Sequence, residues 1–354
     1  MAEIDELLRY LKQQKGSDLH LAAGLEPRIR VNGELRAIEG QAPLTDDGVR
    51  KLLREIPSES QWKVFHETHD LDFAYGLDGV GRFRVNFFVQ ERGAGAVLRM
   101  IPEKIVPLEE LSLPKAIEGL VHYRKGLVVV TGPTGSGKST TLAAIIDKIN
   151  RTYAKHILTL EDPVEFVHEN KKSVLSHREV GSHTKGFGPG LRAAIRQDAD
   201  VVLVGEMRDY ETISLALTAA EMGMLVFGTL HTNSAPKTID RIIDTFPSDE
   251  QAQVRLSLAE SLSAVIAQLL LPTSDGKGRI AANEILLKTK ALPNIIREAN
   301  TGMLGSFIQQ GKADGMQQMD DALFELVQAK RVDPHDAFAK AMDKARFESL
   351  LPTE

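Results

Sequence analysis

The 354-residue chain contains no cysteine, which excludes disulfides, thiol nucleophiles and every zinc site built on Cys ligands. That absence agrees with a reducing compartment. No apolar run opens the chain either: MAEIDELLRYLKQQKG is amphipathic and charged, so no signal peptide is predicted. The most apolar stretch, 264–271 (AVIAQLLL), falls well short of the about 20 residues needed to cross a bilayer. Any membrane association is therefore expected to come through a partner. Nor is there an excess of positive charge. The 43 Lys and Arg stand against 49 Asp and Glu, a formal net charge of -6, which argues against a globally basic nucleic-acid wrapper. No internal repeat or low-complexity tract is visible. What remains is ordinary for a folded chain: 42% hydrophobic and 26% charged residues, which excludes wholesale disorder. At roughly 150 residues per domain, the length predicts two domains or three.

Residues 1 to about 105 read as a small α+β unit. Ile4, Leu7, Leu8 and Leu11 recur at helical spacing, and Gly16 ends that helix. Short strands are expected at 19–22, 29–31, 72–75 and 83–89, with Asn32-Gly33 as a hairpin turn. Residues 102–114, PEKIVPLEELSLP, carry three prolines. Proline continues neither a helix interior nor a strand ladder, so a linker is expected here, placed at 106–118. From residue 119 the pattern alternates. Apolar strands at 127–130, 157–160, 201–204 and 225–230 are interleaved with the helical stripes Leu142, Ile145, Ile146, Ile149 and Ile213, Ala216, Leu217, Ala220. Strands apolar on both faces between amphipathic helices mean a parallel sheet covered by helices, an α/β class. Ile239, Ile242, Ile243 and Phe246 open a remainder that reads as mainly helical, including one long pattern from Gln251 to Leu271.

The segment Gly132, Pro133, Thr134, Gly135, Ser136, Gly137, Lys138, Ser139 matches G-x-x-x-x-G-K-[ST] in full, with Thr140 following. A buried strand precedes it and an amphipathic helix follows, which is the setting a phosphate-binding loop requires. The glycines let successive N–H groups turn inward, and the helix adds its positive end. Lys138 is expected at the β- and γ-phosphates of ATP, and the Ser139 hydroxyl on Mg²⁺. Acids should then lie at the carboxyl ends of neighbouring strands. Glu161, Asp162 and Glu165 cluster around Pro163 after one strand. There Glu161 or Asp162 is placed to hold Mg²⁺ through water, and Glu165 to orient the attacking water. Val201–Val204 is followed by Gly205 and Glu206, like a Walker B strand whose first acid is replaced by glycine. That leaves Glu206 to bind the metal's water shell. His231 ends the next strand and is placed to sense the γ-phosphate or to relay its presence to a neighbouring subunit. Nothing nearby in the same domain is an obvious candidate to neutralise the charge developing on the γ-phosphate.

Several segments together resemble the secretion-superfamily ATPases, specifically the PilT-type retraction ATPases of type IV pili. They are GSDLHL (16–21), RFRVNFF (82–88), RGAGAVLR (92–99), GPTGSGKST (132–140), TLEDPVEFVH (159–168), VLVGEMRD (202–209), FGTLHTNSAPKTIDRIID (227–244) and GMQQMD (315–320). The resemblance implies a PAS-like N-terminal domain over 1–105. It implies a RecA-like ATPase domain over 119–354 with a helical C-terminal part. It further implies a homohexameric ring in the cytoplasm, peripheral at the inner membrane, that hydrolyses ATP with Mg²⁺ at subunit boundaries. Such a ring acts through an inner-membrane pilus platform protein, in some systems beside another retraction ATPase. By the same resemblance Glu165 is the catalytic glutamate, Glu206 the Walker B glutamate and His231 the His-box histidine. Arginines of the N-terminal domain reach the γ-phosphate, and Arg84 and Arg99 match them best, with Arg82 and Arg92 as alternatives. The lack of cysteine and the short N-terminus point to the retraction branch, since pilus-assembly and type II secretion ATPases usually carry an extra N-terminal domain and a four-cysteine element. Two positions depart from the family pattern: Met224 stands where histidine is usual, and Pro293 replaces an arginine in ALPNIIRE (291–298). Within the class, an accessory retraction paralogue is the alternative. Outside it stand a RecA-type DNA translocase, disfavoured by the charge and the absence of aromatic-plus-basic runs, and a non-hydrolysing nucleotide-sensing scaffold. No nucleic-acid partner is expected.

Overall fold

The computed structural model describes residues 2–31, 33–101 and 104–351. They form two compact units. The first comprises residues 1–104 together with Pro163–Val167, and the second Ile105–Asp162 with His168–Glu354, within the described limits. Among the described residues no helix is long and apolar enough to cross a membrane.

The first unit wraps helices over a six-stranded antiparallel sheet. Its elements are α1 (Glu3–Gln13), β1 (Asp18–Ala22), β2 (Arg28–Val31), β3 (Glu34–Ala37), α2 (Asp46–Arg54), α3 (Glu59–Thr68), β4 (Asp70–Leu77), β5 (Gly81–Gln90) and β6 (Gly93–Ile101). The sheet order is β3-β2-β1-β6-β5-β4. The expected stripe of α1 is its buried face, and acids in its first turn with Lys12 in its last suit the helix dipole. Thr45 caps α2, and Ser58 and Gln61 form a capping box on α3. The expected hairpin turn rests on Asn32, which lies outside the described residues; the flanking β2 and β3 pair antiparallel, with Val31 opposite Glu34. Sequence alone does not predict β6. It is a central strand between β1 and β5, and its burial does not alternate cleanly along the chain. It also contains Gly95, where a Cβ would stand 2.7 Å from the Phe88 ring.

The second unit is an α/β layer structure. It runs α4 (Lys115–Gly119), β7 (Gly126–Thr131), α5 (Lys138–Thr152), β8 (His156–Glu161), β9 (Val174–Glu179), α6 (Phe187–Ala194), β10 (Val201–Val204), α7 (Tyr210–Glu221), β11 (Leu225–Leu230), α8 (Ala235–Asp244), α9 (Gln251–Ser261), β12 (Leu262–Pro272) and β13 (Arg279–Leu287). Five helices follow: α10 (Leu292–Arg297), α11 (Leu304–Gln310), α12 (Met319–Gln328), α13 (Pro334–Lys340) and α14 (Lys344–Glu348). The seven-stranded sheet has the order β13-β12-β7-β11-β10-β8-β9, parallel except for β13 on β12. Alternate residues of β7 feed two cores. Leu127 and Val129 pack under α6 to α9, Val128 and Val130 under α5. Both faces of the central strands are thereby buried, as their unbroken apolar sequences require.

The helical reading of Gln251 to Leu271 needs correction. The helix ends at Ser261, and Leu262–Pro272 is β12, paired in parallel with β7. A short apolar run buried on both faces carries no period that separates strand from helix. The free edge of β7 decides for the strand, because β12 satisfies its ladder. Pro293 sits in the first turn of α10, where proline is tolerated, so the helix survives that departure. Met224 is buried beneath the start of β11.

Candidate active site

The phosphate-binding loop leaves β7 at Thr131 and enters α5 at Lys138. Gly132, Gly135 and Gly137 hold φ values of 148°, 79° and 85°, which L side chains rarely adopt. At Gly132 a Cβ would also stand 2.3 Å from the Gln268 carbonyl oxygen, whereas at Gly135 it would meet open space. The N-cap of α5 is Gly137, so no side chain covers its first N–H groups. Among the described residues the buried Ser136 hydroxyl has no hydrogen-bond partner. Lys138 Nζ donates to the carbonyls of Gly132 at 2.8 Å and Pro133 at 3.1 Å. A phosphate oxygen is the stronger acceptor for that ammonium, because the bond is then charged on both sides. An uncapped helix start, an unpartnered hydroxyl and one cation fit a phosphate chain.

Gln268 of β12 braces this loop and had no signal in the sequence beyond one amide in an apolar run. Its Nε2 donates to Ser136 O at 2.7 Å, and its Oε1 accepts from Thr141 Oγ1 at 3.0 Å and Asn283 Nδ2 at 3.1 Å. The side chain is 2% exposed. Gln268→Ala leaves three buried polar groups unpaired, at about 1–3 kcal/mol each. The expected outcome is a lower thermal midpoint and weaker ADP binding by titration calorimetry. Wild-type ADP affinity in the variant refutes the bracing role.

The other strand ends bring two expected residues together. Glu206 follows β10, His231 follows β11, and His231 Nε2 stands 3.0 Å from Glu206 Oε1. The Arg208 Nε donates to the same oxygen, and that hydrogen bond, ahead of the charges of Glu206 and Asp162, raises the guanidinium's pKa. Arg208, which the sequence did not single out, is a cation beside these acids, because the turn after Glu206 folds back onto it. Gly205 has a steric reason to be glycine. A Cβ there would meet Leu160 O at 3.1 Å and Glu161 Cα at 3.3 Å, where β8 and β10 converge. A chain of hydroxyls secures the loop that carries His231. Thr131 Oγ1 donates to Thr232 O at 2.6 Å, and Thr232 Oγ1 lies 2.7 Å from Thr238 Oγ1. The phosphate loop and the His231 loop are thus tied at their roots.

Glu161 ends β8 in the second unit, whereas Pro163–Val167, with Glu165, belongs to the first. Val164 and Phe166 are buried and Arg82 Nη1 donates to Val164 O at 3.0 Å. The segment's far end is held in the second unit by His168, whose N–H donates to His177 Nε2 at 3.0 Å. Burial, reinforced by the charge of His177, lowers the pKa of His168 to about 4. In the first unit Arg84 and Arg99 are cross-strand partners on β5 and β6. Like charges directly opposite repel, and each has an acid beside it: Asp72 is 3.8 Å from Arg84, and Asp18 is 2.7 Å from Arg99. Asp18 is buried on β1. Burial alone would push its carboxyl up, but the Ser17 hydroxyl and the Arg99 guanidinium outweigh this and hold it below the usual carboxylate range. Arg82 lies two residues from Arg84 on the same sheet face, while Arg92 stands in the β5–β6 turn, against Gly24.

The family model described as Type II/IV secretion system protein matches residues 78–305. The type IV pilus retraction ATPase PilT of Pseudomonas aeruginosa is 52% identical over 345 residues, covering 98% of this chain and 100% of that one. The chain belongs to the type II/IV secretion ATPases, in the PilT-type retraction branch. A twitching motility protein of Neisseria gonorrhoeae is 48% identical over 337 residues, 95% of this chain and 90% of that one. A crystal structure of the pilus retraction motor PilT with bound ADP aligns at a TM-score of 0.91 and 42% identity, over 99% of this chain and 100% of that one. As a PilT-type member the chain is an ATPase of α/β class that binds nucleotide.

Proposed function

We propose that the chain is the subunit of a homohexameric ring that couples ATP hydrolysis to removal of pilin from the base of a type IV pilus. The ring works in the cytoplasm, peripheral at the inner membrane, against a pilus platform protein. The observation that carries this reading is the convergence of the phosphate cradle, Glu206 and His231 at the carboxyl edge of one sheet, in a chain of the PilT-type family. Gly132 to Thr140 cradle the phosphates, and Lys138 neutralises charge between the β- and γ-phosphates. Ser139 and Glu206 offer oxygen donors that suit Mg²⁺, Glu206 through water. Held there, the ion would supply positive charge at the phosphates. Glu165 accepts the proton of the attacking water. Arg84 and Arg99 neutralise the γ-phosphate's developing charge, from their own subunit or a neighbour. His231, held on Glu206, reports the γ-phosphate to the ring.

Glu165→Gln is expected to keep nucleotide binding and lose hydrolysis by at least about 100-fold, since an amide cannot take the water's proton. Cells carrying it should display more surface pili and lose twitching. If Glu206→Gln abolishes chemistry while Glu165→Gln retains most of it, the two roles are reversed. Pro293 favours a second reading, an accessory subunit beside another retraction ATPase. In that case the Glu165→Gln strain still retracts its pili, more weakly.

A further inference from the structure

None of the groups assigned to the reaction lies in GSDLHL (16–21). The one acid of that segment, Asp18 on β1, is 3% exposed. Asp18 stands directly opposite Arg30 on β2 and Arg99 on β6, and Arg99 stands opposite Arg84 on β5. Directly opposed residues share one face of a sheet. A single buried carboxylate therefore lies in a cross-strand row with three arginines, all within the first unit.

The atoms that meet decide what the row can do. Asp18 Oδ1 accepts from Arg99 Nε at 2.7 Å. Asp18 Oδ2 accepts from the Ser17 hydroxyl at 2.7 Å and lies 3.9 Å from Arg30 Nε. Arg30 has an anchor of its own, since its Nη1 donates to Gly33 O at 2.8 Å. The backbone beneath the carboxylate is fixed on both sides. Ser17 N–H donates to Arg30 O at 2.8 Å, and Ser17 O accepts from Met100 N–H at 2.9 Å, so the start of β1 is stitched to β2 and β6. Arg99 is thus gripped by its inner nitrogen. Among the described residues its two Nη groups make no hydrogen bond, and its side chain is 68% exposed. A guanidinium held at Nε keeps its outer fork, the edge that matches two oxygens of a phosphate. The grip also opposes the repulsion between Arg99 and Arg84 across the strands.

We propose that Asp18 is a positioning residue for the ATPase reaction: it holds Arg99 at Nε, so that both Nη groups are presented, already ordered, to the γ-phosphate. The inference rests on the reading of Arg99 as a γ-phosphate arginine. Order imposed before the reaction is not lost during it, which is how such a residue raises the rate without touching the nucleotide.

Asp18→Ala removes the grip and leaves Arg30 and Arg99 to water, so the fold should stand. Steady-state turnover of the full-length protein should fall by about 10- to 100-fold, as a small misplacement of a catalytic group can cause, while ADP affinity and the thermal midpoint stay near the wild type. Arg99→Ala and the double variant are measured in parallel. With no arginine to place, Asp18→Ala should slow Arg99→Ala no further. An equal additional loss in the double variant means that Asp18 merely stabilises the sheet, and overturns the proposal; so does a wild-type kcat in Asp18→Ala. If Asp18→Ala does not fold, Arg99→Lys tests the same point at an exposed position. Lysine has one nitrogen, which cannot stay on Asp18 and also reach the phosphate. Its rate should approach that of Arg99→Ala, and a rate near the wild type overturns the proposal. Arg99→Ala also separates this inference from the reading beneath it. A wild-type rate in that variant removes the Arg99 assignment, whereas slow Arg99→Ala beside normal Asp18→Ala removes this inference alone.

Discussion

Lys138→Ala is expected to abolish turnover while leaving the fold intact. The ammonium is the only side-chain cation inside the phosphate-loop segment 132–140, and its hydrogen bonds to Gly132 O and Pro133 O show that it reaches across the loop rather than into solvent. Phosphoryl transfer spreads negative charge over the γ-phosphate oxygens, and stabilising that charge in place is most of the catalysis. Loss of one charged contact in such a site costs about 10³-fold or more in rate. Alanine at the first residue of α5 is a good helix former, and of the two carbonyls it releases that of Pro133 is exposed while that of Gly132 is buried, so only a modest loss of stability is expected. Steady-state phosphate release beside a thermal melt checks both halves. Activity near the wild type refutes the assignment of this loop.

The second large effect concerns the arginine pair. Arg84 and Arg99 stand opposite one another on β5 and β6, each beside an acid, in the first unit, whereas Lys138, Ser139 and Glu206 belong to the second. An arginine delivered to a γ-phosphate is worth roughly 10³–10⁵ in rate. Arg84→Ala and Arg99→Ala should therefore bind ATP and assemble, yet hydrolyse slowly. Mixing Arg84→Ala with Lys138→Ala subunits should restore part of the activity if the arginine serves a neighbour's nucleotide, because one boundary in such a ring holds both intact groups. Arg208 is the control. It sits on Glu206 within the second unit, so an Arg208→Ala loss that exceeds both others would move the role to it. Absence of rescue, together with full activity of both single arginine variants, removes the inter-domain mechanism.

Much of this was legible in sequence because it is local. The glycine spacing of 132–137 requires the left-handed backbone that the loop adopts, since only glycine populates it without strain. Unbroken apolar runs at 127–130 and 201–204 are buried on both faces, as parallel strands between helices must be. Glu206 and His231 could be placed at strand ends from pattern alone. Their meeting at 3.0 Å could not, because it depends on β10 and β11 being neighbours in the sheet. The same holds for Arg208 turning back onto Glu206. The stretch 262–272 became a strand because β7 had an edge to fill, a demand its own residues do not express. Gln268 and Glu284 lie farthest from sequence reasoning. Each is one polar residue within or beside an apolar run, and its partners sit 132 and 49 residues away at Ser136 and Ala235. Periodicity and motif spacing report which residues share an element. Which buried amide braces the phosphate loop, and which carboxylate accepts the first N–H of α8, is decided by strand order, since burial makes those polar groups find one another across the sheet.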